Sequence, residues 1–199
     1  MTIRFVDEHA DGFGWQAEER ARRTSHALSI GGDVWVFDPI EGDGVEERLY
    51  ALGEPVGVVQ LLDRHNRACD EFATRLGVPL HVVPSALPVP FELLPVRRNR
   101  IWAEVALWWP ERRLLLCADA FGTVPFFRAG DEPVGLHPFL RLRPPRSLRG
   151  LGVERLLVGH GEGMHGEGTA AAVEDALRSG RRRIPRYLVG LPRVIRQAH

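Results

Sequence analysis

Three observations on this 199-residue chain predict an α/β fold. Apolar, β-branched runs alternate with segments of helical spacing between residues 34 and 83, in the order β, α, β, α, β. Two long apolar runs flank the turn Pro110-Glu111-Arg112, and Thr169 to Arg182 carries Ala, Val and Leu at helical spacing near the end. With 44% hydrophobic residues the chain can bury a sizeable core, and a single domain over residues 1–199 is expected.

Each element has its own reason. Val34-Trp35-Val36-Phe37 follows the turn pair Gly31-Gly32 and stops at Asp38-Pro39, as a buried strand does. Val45 to Leu52 has helical spacing and is ended by Gly53 and Pro55. Val56 to Leu62 is the next strand, Arg67 to Leu76 the next helix, and Gly77-Val78-Pro79 leads into the strand Leu80 to Val83. Pro84 to Pro95 reads as an extended connector or edge, because proline cannot donate within a central ladder. Ile101 to Trp109 and Arg113 to Ala118 form a hairpin whose apolar runs suit a covered sheet. Phe121 to Pro145 reads as a long loop with a short helix, and Val153 to Val158 as the last strand. A short helix follows Pro185.

Composition narrows the chemistry. Acidic and basic residues balance at 26 each, so no net field draws the chain to nucleic acid or an anionic membrane, and neither is expected as a partner. All 26 basic residues are Arg, which removes Schiff-base lysines and the P-loop lysine. The clusters Arg97-Arg98-Arg100, Arg141 to Arg149 and Arg181 to Arg183 read as solvated faces or intramolecular ion pairs. No Gly-x-Ser-x-Gly elbow supplies a serine nucleophile. Cys69 and Cys117 have no disulfide or zinc-knuckle spacing, and the N-terminus has no secretory pattern, so a cytoplasmic location is expected. Tyr187 to Val189 and Val194-Ile195 are apolar enough to dock on the core or on a second copy in a homodimer.

The polar residues that close the apolar runs carry the functional reading. Asp63, His65 and Arg67 follow the strand Val56 to Leu62, Asp119 closes Leu114 to Ala118, and His160 sits in a Gly-His-Gly turn after Val158. This order resembles the metallo-β-lactamase fold, a four-layer αββα sandwich in which a strand leads into a His-x-His-x-Asp-His loop. The resemblance covers most of the chain and implies two metals at the sheet edge, completed by a third His, a bridging Asp and a final His. Asp63 then matches the first His of the loop, His65 the second, Arg67 the Asp and Ala68 the last His, so one ligand of four is retained. Asp119 matches the bridging carboxylate, His160 the final His, and the third His position falls near Arg100. A shifted register would place His65, Cys69 and Asp70 on the loop pattern instead; the first is preferred because its polar residues begin where the strand ends.

These replacements imply a degenerate metal site. Arg67 and Arg100 are expected to point into the cleft of Asp63 and Asp119 and to neutralise it as planar, bidentate partners. At an effective dielectric of 20, a divalent ion about 4 Å from one guanidinium is opposed by roughly 8 kcal/mol. The expectation is a protein without the dinuclear centre or other cofactor, acting in small-ligand binding or interaction. The alternative is one zinc or other divalent metal held by Asp63, His65, Asp119 and His160, serving a hydrolase of an ester, thioester or phosphoester.

Overall fold

The computed structural model describes residues 1–196, with side chains to residue 192. Two sheets face one another. The first has the order β1(Ile3–His9), β2(Gly12–Ala17), β3(Thr24–Ile30), β4(Asp33–Phe37), β5(Glu54–Gln60), β6(Leu80–Val82). Its first four strands are an antiparallel meander; β4 to β5 and β5 to β6 are parallel and cross over through α1(Val45–Leu52) and α2(Cys69–Leu76). The β-α-β-α-β order read from residues 34–83 is therefore present.

Strand alternation decides what each face meets. Val34, Val36 and Val58 point to the outer layer, where they pack with Leu49 of α1 and Phe72 of α2. Trp35, Phe37 and Val59 point inward and join Leu107, Leu115 and Leu116 of the second sheet. That sheet has the order β13(Met164–His165), β12(Arg155–Val158), β9(Leu114–Cys117), β8(Trp102–Trp109), β7(Glu92–Asn99). Val173, Ala176 and Leu177 of α4(Thr169–Ser179) join the same core, giving helix, sheet, sheet, helix. Trp102, Trp108 and Trp109 are all buried there.

Several sequence expectations change. The N-terminal strands β1 to β3 were not marked by periodicity: β2, Gly-Phe-Gly-Trp-Gln-Ala, is buried at every position and so shows no alternation. The segment expected as a connector or edge ends in the edge strand β7, which carries Pro95 beside a register shift. The strand ending at Val158 is not the last, since β13 follows as a two-residue edge. The short helix α3(Pro138–Arg141) lies in the 121–145 loop as expected, with a small ladder of β10(Phe121–Gly122) and β11(Gly135–Leu136) around it. The helix after Pro185 is longer than expected, α5(Ile184–Arg196). On it Tyr187 is buried and Leu188 and Val189 are exposed, while the side chains of residues 194 and 195 lie outside the described ones. Among the described residues, no helix is long and apolar enough to cross a membrane.

Candidate metal centre

Parallel pairing builds the site. β12 runs alongside β9 with Val158 opposite Cys117, so Asp119 and His160, each two residues further on, leave the sheet edge side by side. Gly159 permits this approach: a Cβ there would lie 2.4 Å from the Ala118 carbonyl oxygen, which instead accepts the Gly159 N–H at 3.0 Å. From the facing sheet, the chain after β5 is clipped to β8 by Asp63 N–H to the Ala103 carbonyl (2.9 Å) and Val105 N–H to the Leu61 carbonyl (3.0 Å). The turn that follows carries His65 to the same edge.

Three side chains converge. His65 Nε2 lies 3.2 Å and His160 Nε2 3.3 Å from Asp119 Oδ1, and the ligand atoms of all three are within 4.8 Å of one another. Each imidazole is anchored through its other nitrogen: His160 Nδ1 donates to the Ala21 carbonyl at 2.8 Å, and His65 Nδ1 reaches Asp38 Oδ2 at 3.4 Å. With Nδ1 carrying the proton, a neutral imidazole presents a bare lone pair at Nε2. Two such lone pairs and a carboxylate oxygen then face a common point, a repulsive arrangement unless a cation or an added proton occupies it. Asp119 Oδ1 is buried without a hydrogen-bond partner among the described groups. Tetrahedral bonds of about 2.0–2.2 Å would separate ligand atoms by roughly 3.3–3.6 Å, close to the two imidazole–carboxylate separations here, so the donor set suits a single zinc-like ion.

The surrounding charges refine that fit. Arg67 is half-buried and donates to the backbone carbonyls of Thr24 (2.8 Å), Asp38 (3.0 Å) and Gly159 (3.1 Å), tying the first sheet to the His160 turn. Two carboxylates, Asp38 and Asp119, against one guanidinium leave one net negative charge. One dication would make the group singly positive; a second would leave it triply positive in a buried place. Burial and Arg67 oppose the charged form of His65, but contacts with Asp119 and Asp38 overcome both and raise its pKa. Burial likewise opposes ionised Asp119, yet His160 and His65 hold its carboxyl well below the usual range.

Asp63 and Arg100 are not brought into this group. Asp63 faces solvent beside Arg64 at 3.5 Å, and Arg100 is exposed in the turn between β7 and β8. The hairpin tip projects past the sheet edge that carries the site, and Arg67 meets carbonyls instead of forming the expected bidentate carboxylate pair. Cys69, the loop residue of the shifted register, donates its thiol to the His65 carbonyl, and burial pushes its pKa up.

Three supporting residues were not found from the sequence. Asp38 holds His65 and also accepts the Leu61 N–H at 2.9 Å; its signal was the carboxylate closing Val34 to Phe37, the same pattern that marked Asp119. Glu104 accepts the N–H groups of Asp119 and Ala120 at 2.8 Å and the Trp102 indole at 2.9 Å, and burial followed by the charge of Asp119 pushes it up to about 8. His137 accepts the Phe139 N–H through Nδ1, so a neutral ring carries its proton on Nε2; burial pushes it down to about 4. His137 lines, with Asp119, His160, Phe126 and Phe127, a cavity of about 1040 Å³.

No family profile and no curated protein matches the chain. Solved structures do. The DIM-1 metallo-β-lactamase superposes with a TM-score of 0.62 at 12% identity, over 90% of this chain and 98% of that one. A metallo-β-lactamase from Pontibacter korlensis gives 0.56 at 10% identity, over 89% and 99%. The chain has the metallo-β-lactamase fold.

Proposed function

We propose that on this metallo-β-lactamase fold the two-metal centre is reduced to a site for one divalent cation, held by His65, Asp119 and His160. The convergence of three acceptor atoms, with both Nδ1 atoms already engaged, carries this reading. Three protein ligands leave an open coordination position, and a bound cation of this kind supplies a Lewis acid and lowers the pKa of a water. Asp119 and His160 reach the cavity wall, which supports use of the site on a small molecule: hydrolysis of an ester, thioester or phosphoester. In that role His137, neutral and donating from Nε2, would hydrogen-bond the substrate oxygen on which negative charge develops. Asp38 and Glu104 would position His65 and the Asp119 turn.

The rival occupant is a proton. The raised pKa of His65 favours a metal-free cluster of imidazolium and carboxylate, which would bind ligands without catalysing hydrolysis. Elemental analysis of purified protein separates the two. The cation reading expects close to one equivalent of zinc, manganese or iron per chain, lost in Asp119→Ala together with hydrolysis of nitrophenyl ester or phosphate probes. Two equivalents would return the site to the dinuclear class. No metal after dialysis against zinc, with thermal stability indifferent to chelator, would leave the protonated cluster.

A further inference from the structure

Arg22, on the loop joining β2 and β3, shares the cavity with Asp119, His160 and His137. Its backbone is fixed on both sides of the side chain. The Arg22 N–H donates to the Glu19 carbonyl at 3.1 Å, and its own carbonyl accepts the Gly161 N–H at 2.9 Å and the Thr24 hydroxyl at 3.2 Å. Arg23 also forms a β-bridge with His160. The loop is thereby registered against the turn that carries the site, and Arg22 keeps a left-handed φ of 44° that a non-glycine residue adopts only at a cost.

Among the described residues, this guanidinium has no ion pair. Glu19 is paired by Arg23 through both carboxylate oxygens. Glu162, in an adjoining groove, is paired by Arg4. Glu18 lines that groove too, and Arg22 forms no ion pair with any of the three. Across the cavity the wall is apolar and aromatic: Val124, Pro125, Phe126 and Phe127, with the His137 ring 5.8 Å from that of Phe126 and 5.5 Å from that of Phe127. The same cavity thus holds a cation, a π surface and two of the candidate metal ligands.

We propose that Arg22 selects the ligand: an amphipathic small molecule whose oxyanion group, a carboxylate or phosphate, is bound by Arg22 while its apolar body lies on the Phe126 and Phe127 wall. This rests on the cavity being the ligand site of the function proposed above. Calorimetric titration of the metal-loaded chain with 3-phenylpropionate, phenyl phosphate and the neutral 3-phenylpropanol tests it. Arg22→Gln should weaken an anionic probe about tenfold, the scale of a lost charged hydrogen bond, and leave 3-phenylpropanol and the metal content unchanged. Response of only one anion would assign the carboxylate or the phosphate class. Equal binding of the anions to wild type and variant, as expected if they sit on the cation alone, overturns the proposal; so does equal weakening of all three probes, or no binding to wild type. If the wild type proves metal-free yet Arg22→Gln still weakens the anions, the metal reading fails and this one stands.

Discussion

Asp38 lies outside the three converging ligands, yet it determines which nitrogen of His65 can bind anything. Its carboxylate engages Nδ1 and leaves Nε2 toward Asp119. It sits at φ 44°, a conformation Asn adopts as readily as Asp, so Asp38→Asn tests the charge with little backbone penalty. Partners of this kind typically contribute about 10–100-fold to metal affinity. Asp38→Asn is expected to weaken zinc binding within that range in a competition titration with a chromophoric chelator, with the circular dichroism spectrum unchanged. Wild-type affinity would remove Asp38 from the site.

The loop from Phe121 to Pro145 forms the aromatic wall of the cavity, and a buried ion cluster gives it shape. Glu132 accepts from Arg141 Nη2 at 2.5 Å, from Arg183 Nη1 at 2.9 Å and from the Ala129 N–H at 2.6 Å, and Arg141 also bonds the Phe127 carbonyl. Glu132 and Arg141 are almost fully buried. Two members of the basic clusters are thus intramolecular ion pairs. Arg141→Met keeps the volume but strips Glu132 of its main counter-charge, a change that costs about 3–5 kcal/mol for buried pairs. Because Arg183 remains, the loss should fall near the lower end of that range in urea unfolding. A change below 1 kcal/mol would mean that packing, and not the ion cluster, holds the loop.

Across the whole molecule, histidines held neutral by burial, partial at His9 and His137, shape the response to mild acid. Burial, with the charge of Arg155, pushes His9 down to about 4, and burial does the same to His137, while the unfolded chain takes up these protons near 6.5. Their contribution to stability is complete above pH 6.5 and is lost as pH falls from 6.5 toward 4. His26, fully buried, is shifted the same way; the raised pKa of His65 acts only above pH 6.5, whereas Glu104, pushed up to about 8, gains stability as pH falls toward 4.5 and offsets part of the decline. The melting temperature should therefore decline through that window, and His9→Gln should make the decline shallower. A flat profile between pH 6.5 and 4 would contradict the assignment.

Legibility differed between fold and site. The elements from Val34 to Val83 and the hairpin around Pro110 could be read because their strands are nearly unbroken β-branched, aromatic or leucine runs and their helices keep helical spacing. β2 could not, because two glycines and a glutamine interrupt its apolar run although every position is buried. At the site, His65, Asp119 and His160 were marked by position alone: each follows an apolar strand. Asp63 and Arg100 were marked by the same logic and stand elsewhere, since both lie in turns, Asp63 in the one that precedes His65 and Arg100 at the tip of the β7–β8 hairpin. The sequence by itself determined the order of elements from Val34 to Val83 and around Pro110, the absence of lysine and of a Gly-x-Ser-x-Gly elbow, and the polar residues available at the strand ends. Only the tertiary structure decided that three of those residues meet, that Arg67 is occupied by carbonyls, and that Arg22 borders the same cavity. Periodicity is a local property that a chain carries in its residues, whereas a ligand set depends on the registers of two sheets, which long-range pairing alone fixes.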